Sequence, residues 1–336
     1  MLNDCINCTK NMQTSFIISG SPHIHTADSV DRRMWNVVIA LVPSAVVSLL
    51  FFGLPALLVL AVSIGACLLT EWVIASRVMH RTCTLGNGSA LITGILLAFN
   101  LPSILPWWMV VIGAVVSIGI GKMSFGGLGC NIWNPALVGR VFLLLSFPAA
   151  MTTWPEMQNG IDGVTGATIL ASLKTSGHVV GSGVVDWTAL GIGNMNGSMG
   201  EVGALAITIG LVWLLITRTI TWHIPVSMLG SAALVSWLAG ANPLLEIMTG
   251  GMLLGAVFMA TDYVTSPMTH RGQLIYGVLI GVVTMIIRLW GAYPEGVSFA
   301  ILLGNSATPL LNKYCTPRRF GARKKKKNKE ERGAKS

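Results

Sequence analysis

Long continuous apolar runs constrain this chain before anything else does. Val37–Leu50, Leu54–Leu69 and Ile275–Ile287 contain no charged residue. A lipid-facing barrel strand would instead alternate apolar and polar residues over about ten positions. Only 10% of the 336 residues are charged, against roughly 25% in soluble domains. With a mean hydropathy of +0.69, most of the chain belongs in lipid. There the spanning unit is a helix of about 20 apolar residues. The fold class expected is an all-α polytopic membrane protein.

About ten spans can be drawn, with breaks where Gly, Pro or charge intervenes. A polar arm, 1–33, ends at Arg32-Arg33 and leads into spans at Met34–Phe52 and, after Gly53-Leu54-Pro55, to Ile74. Spans then follow at Ser89–Leu101, Trp107–Ile120 and Ile132–Phe147, closing a first five-helix half, 34–147. After the polar stretch 148–200 come Val202–Ile216, His223–Leu238, Leu245–Ala260, Leu274–Leu289 and Val297–Leu311, a second half at 201–312. Several of these are short for a hydrocarbon core about 30 Å thick. The first ~30 residues lack the basic-then-apolar layout of a cleaved signal.

Lys and Arg in short loops set orientation. With the N-terminus inside, the inner loops hold Arg32, Arg33, Arg77, Arg81, Lys122, Arg218 and Arg271, together with the tail 313–336. The outer loops hold only Lys174 and Arg288, so both termini are expected in the cytoplasm and 148–200 outside. The tail, with Arg323, Lys324, Lys325, Lys326 and Lys327, reads as an anchor to anionic headgroups. It has no interleaved aromatics of the kind that stack single-stranded bases, so no nucleic-acid partner is expected.

A faint internal repeat is present: Asn131-Ile132-Trp133-Asn134-Pro135-Ala136-Leu137 and Asn305-Ser306-Ala307-Thr308-Pro309-Leu310-Leu311 both read Asn-x-x-x-Pro-x-Leu. Two halves of five spans are related by inversion, and interrupted helices in matching places point to a site near the midplane. Asn134-Pro135-Ala136 also invites comparison with water channels. Those need two such triplets, and the other half has Ala307-Thr308-Pro309.

The polar stretch carries Asp162-Gly163-Val164-Thr165-Gly166-Ala167-Thr168-Ile169-Leu170. One acid, two hydroxyls and two glycines make an exposed segment that another molecule can approach closely, with Thr168 open to modification. Asp-Gly-x-Thr-Gly-Ala-Thr resembles the flavinylation motif shared by the D subunit of the Rnf complex and the B subunit of the sodium-pumping NADH:quinone oxidoreductase. The short N-terminal arm is more similar to the former. The resemblance implies covalent FMN phosphoester-linked to Thr168, attached by a separate flavin transferase, with Asp162, Thr165, Gly166 and Ala167 completing the motif. It further implies a bacterial inner-membrane component of a ferredoxin:NAD⁺ oxidoreductase, with electron flow coupled to Na⁺ or H⁺ translocation. Partners would be the G-subunit flavoprotein, whose FMN is also threonine-linked, and the A and E membrane subunits. A non-covalent riboflavin belongs to the same family picture. The rival expectation is a secondary transporter or channel without a flavin.

Ionisable residues inside spans are costly and mark function. Glu71, Asn131, Asp262 and Asn305 are oxygen donors suited to an ion pathway. Equally, such residues satisfy backbone freed where helices break. Arg140 is expected to pair with Glu71 or Asp262. Cys5 and Cys8 form a lone C-x-x-C, too few ligands by itself for a zinc site or a cluster; it reads as incidental, the alternative being a redox-active pair or a ligand pair shared with another subunit. No nucleotide-binding, zinc-protease or serine-hydrolase motif occurs.

Overall fold

The computed structural model describes residues 29–80, 85–155, 165–166, 168, 170, 190–191, 193, 197–201, 203–291 and 296–316. Helix α1, Val30–Val73, is capped by the Ser29 hydroxyl, which accepts from the Arg32 N–H at 3.2 Å. At Gly53 (φ 63°, ψ −142°) its path breaks, a conformation open to glycine and strained for other residues. A π-turn, Ile74–Val78, continues its second half. Then come α2 (Ser89–Phe99), α3 (Trp107–Gly119), α4 (Pro135–Ser146) and the short α5 (Pro148–Met151). Pro135 fits α4 because it stands at the first helical position, with Asn134 capping it.

Among the described residues one two-residue antiparallel ladder joins β1 (Trp154–Pro155) to β2 (Thr165–Gly166). The second half contains α6 (Ala204–Ile216), α7 (His223–Leu238), α8 (Pro243–Met248), α9 (Met252–Leu254) with a following π-turn at Gly255–Met259, α10 (His270–Trp290) and α11 (Val297–Tyr314). The single span expected at Leu245–Ala260 is therefore two helical pieces. Gly250 (φ 67°) and Gly251 (φ 64°) separate them, a turn hidden within an apolar run.

Among the described residues three helical stretches, Val30–Val78, Trp107–Phe125 and His270–Trp290, are long and apolar enough to cross a bilayer. Leu50, Ile216, Trp237 and Trp290 are each 70% or more exposed. Apolar surface of this kind suits lipid, where association relies on close packing rather than on hydrophobic exclusion from water. Small residues supply that packing. Gly277 and Gly281 of α10 lie against Ser227 and Ser231 of α7, and Gly139 of α4 lies against Gly113 and Ser117 of α3. Gly94 of α2 meets the Ile64 backbone, and Gly210 of α6 meets the Ala40 carbonyl. The two parts of α1 thus bind different neighbours, and this places the later sites.

Candidate functional site

Polar side chains collect at two places. The first is a cavity of about 720 Å³, counting its open mouth, lined among others by Thr93, Lys122, Asn131, Asn134, Thr261 and Asp262. Asp262 follows the π-turn, accepts from the Thr265 hydroxyl at 3.2 Å and is hydrogen-bonded by the Asn131 side chain. Asn131 also donates to the Trp133 carbonyl at 3.1 Å. Two expected ion-pathway residues are therefore brought together at the cavity wall.

Glu71 lies behind the same wall, held by Lys122 Nζ at 2.6 Å, while Lys122 also donates to the Ser89 hydroxyl at 2.7 Å. This corrects the reading of Lys122 as a loop cation, because its amine is buried among α1, α2 and the connection after α3. Arg140 pairs with neither expected acid. Its guanidinium donates to Asn100 Oδ1 and to the Ser298 hydroxyl, each at 2.8 Å, because α4 places it where α2 ends and α11 begins.

Asn305 is set apart from the cavity but joined to it through Asn134. With the Asn305 amide oriented so that both its oxygen and its nitrogen are satisfied, the oxygen accepts from the Asn134 N–H at 3.1 Å and the nitrogen reaches the Tyr276 hydroxyl at 2.5 Å. Asn134 also caps α4 through Ala136 N–H and donates to the Met259 carbonyl at 3.2 Å. The two Asn-x-x-x-Pro-x-Leu segments thus meet in space.

The second place is the far end of α10. Arg288, in its last turn, donates to the Glu246 carbonyl at 2.6 Å, Glu246 Oε2 at 3.0 Å, the Thr249 carbonyl at 3.0 Å and the Gly250 carbonyl at 2.9 Å. Its Nε–H has no partner among the described residues. Gly250 admits no side chain, because a Cβ there would overlap both the Arg288 guanidinium and Leu170 Cδ1. Leu170 closes the flavin-like segment, so that segment docks on the turn that Arg288 holds. From His270 to Arg288 the helix rises roughly 27 Å at 1.5 Å per residue, which sets this ledge far from the cavity end.

Thr168 itself is only 5% exposed. The expectation of an open hydroxyl is corrected. The ladder to Trp154–Pro155 on one side and the Leu170 contact on the other draw Thr168 inward. Of its motif neighbours, Thr165 and Gly166 supply the ladder backbone, while Asp162 and Ala167 lie outside the described residues. Cys5, Cys8 and the tail cations beyond Thr316 lie outside them too. Sequence reasoning missed Glu246 as the partner of Arg288. The available signal was one acid within the apolar run Leu244–Ala260.

Fold and site together define a helical membrane protein with a buried polar network, a cavity at one end and a docked Thr-bearing segment at the other. The chain belongs to the NQR2, RnfD, RnfE family, whose model matches residues 17–321. It is 42% identical over 323 residues to the D subunit of the proton-translocating ferredoxin:NAD(+) oxidoreductase complex of Clostridium ljungdahlii, covering 92% of this chain and 97% of that one. It is 43% identical over 315 residues to the D subunit of the Na(+)-translocating ferredoxin:NAD(+) oxidoreductase complex of Acetobacterium woodii, covering 94% and 98%. The D subunit of the ion-translocating oxidoreductase complex of Escherichia coli is 38% identical over 351 residues, with 92% and 99% covered.

Proposed function

We propose that this chain is the D subunit of an ion-translocating ferredoxin:NAD⁺ oxidoreductase, with FMN tethered to Thr168. The observation that carries the tether is the motif Asp162–Thr168 ending on a threonine whose segment is pinned on both sides. The residues fit a phosphate-linked group. Thr168 supplies the ester oxygen, and the nearby ledge contains a buried guanidinium with one N–H to spare. A bound FMN supplies reversible electron uptake, and a covalent tether keeps it from dissociating between turnovers. The chain's own part is to hold that segment in one place, since preorganised sites depend on rigid support.

The cavity is our proposed seat for the non-covalent riboflavin. Its mixed apolar and amide lining is of the kind that binds flat polar heterocycles. Asn131 and Asp262 at its wall remain the proposed ion-handling pair, with Glu71 and Asn305 behind them. Two inverted halves, 34–147 and 201–312, with about ten spans in all, are supported by the meeting of Asn134 and Asn305. The cytoplasmic termini and outer flavin segment rest on the loop charges, and the inner-membrane location on the likeness to the family. The G, A and E subunits and the flavin transferase are the proposed partners. The D-subunit relatives favour this reading over the B subunit of the quinone reductase.

The test is Thr168→Ala within the assembled complex. Ferredoxin-dependent NAD⁺ reduction by membranes should be lost while the other subunits still co-purify. Retained activity would remove Thr168 from the electron path.

A further inference from the structure

One buried cation is tied to more groups than neutralising Glu246 requires. Arg288 makes four hydrogen bonds, all to the Glu246–Gly250 stretch, and forms an ion pair with Glu246 at 3.0 Å. Such a fork is far more than a helix end needs for its own carbonyls. It fixes the turn at Thr249-Gly250, and on the other side of Gly250 sits Leu170, 6% exposed, two residues beyond Thr168. Gly250 is the only residue type that lets guanidinium and leucine close on the same spot, because any Cβ would displace one of them.

We infer that Arg288 is the positioning residue of the Thr168 segment: it locks the Glu246–Gly250 turn into a ledge, and Leu170 seated on that ledge sets where Thr168 stands. This rests on the flavin reading for its purpose but not for its geometry. The Nε–H of Arg288, without a partner among the described residues, leaves a buried donor for the anionic phosphodiester that a tethered flavin brings close by. Burying an unsatisfied donor is costly unless an acceptor arrives. Lysine in place of Arg288 would keep the charge and lose the fork.

The test uses the full chain in detergent, made without the flavin transferase, and reads hydrogen exchange in the peptide containing Thr168 and Leu170. In Arg288→Met that peptide should exchange about tenfold faster, as a locally released segment does, while the body of α10 keeps its protection. Leu170→Ala should release the same peptide and leave residues 245–251 protected. A folded Arg288→Met chain whose Thr168 peptide exchanges at the wild-type rate overturns the inference. Should Arg288→Met not fold, unchanged exchange in Leu170→Ala overturns it equally. A second arm adds the transferase. The fluorescence anisotropy of FMN on Thr168 should fall in Arg288→Met and recover only partly in Arg288→Lys, and an unchanged anisotropy counts against the inference. A wild-type chain that takes no FMN from an active transferase defeats the flavin reading instead, and the exchange arm still decides the docking.

Discussion

Lys122 Nζ and Glu71 Oε2 meet at 2.6 Å with their side chains only 3% and 1% exposed. Both side chains are buried, and the Lys122 amine donates to Glu71 and to the Ser89 hydroxyl. Removing one partner of a buried pair costs about 3–5 kcal/mol, whereas replacing both with apolar residues is often neutral. Lys122→Met should therefore lower the melting temperature of the detergent-solubilised protein sharply, and Lys122→Met with Glu71→Leu should recover most of the loss. A double variant as unstable as the single one would show that the pair does more than neutralise itself.

The contact between α7 and α10 depends on a lack of side chains. A Cβ on Gly281 would run into Ser231 Oγ and the Met228 carbonyl. Gly281→Val should cost roughly 1–3 kcal/mol or more, the range for overpacking a filled interface. Gly230, with open space where its Cβ would point, should accept alanine with no comparable loss. Thermal unfolding of both variants in the same detergent checks this.

At the cavity, Asn131 reaches Asp262. If this wall binds riboflavin, Asn131→Leu removes polar contact and should weaken retention roughly tenfold, equivalent to about one hydrogen bond left unmade. Flavin released by acid from the purified chain and separated by chromatography gives the occupancy. Covalent FMN on Thr168 stays with the protein in that assay, so the two flavins are counted apart. Wild-type occupancy in the variant would move riboflavin elsewhere.

Much of this architecture was legible in the chain. Span limits at Trp107–Ile120 and His223–Leu238 fall within a residue of the observed α3 and α7, because Pro106 ends one turn and polar residues bound the other. The Asn-x-x-x-Pro-x-Leu repeat pointed to the residues that meet at Asn134 and Asn305. What stayed hidden depended on distant partners. Lys122 sits in a Gly-rich connection that looks like solvent-facing loop, yet its acid lies 51 residues away. The Gly250-Gly251 turn carries no charge or proline to interrupt its apolar run. Arg288 resembles an outer-loop cation until Glu246, 42 residues earlier, is seen beside it.

Burial of Thr168 has a kinetic consequence. A transferase needs the Thr168 hydroxyl, and the residue is only 5% exposed. Purified folded protein should thus be flavinylated slowly in vitro, limited by release of the segment. Leu170→Ala should speed the reaction about tenfold, in proportion to the open population. Equal rates would mean that the transferase opens the segment itself.

The most direct test of the flavin tether is the intact mass of the chain co-produced with an active flavin transferase, beside Thr168→Ala. A covalent FMN on Thr168 predicts a gain of one FMN less one water in the wild type, in-gel flavin fluorescence at the same band, and neither in the variant. An unmodified wild-type mass, or a modification that survives Thr168→Ala, would contradict it.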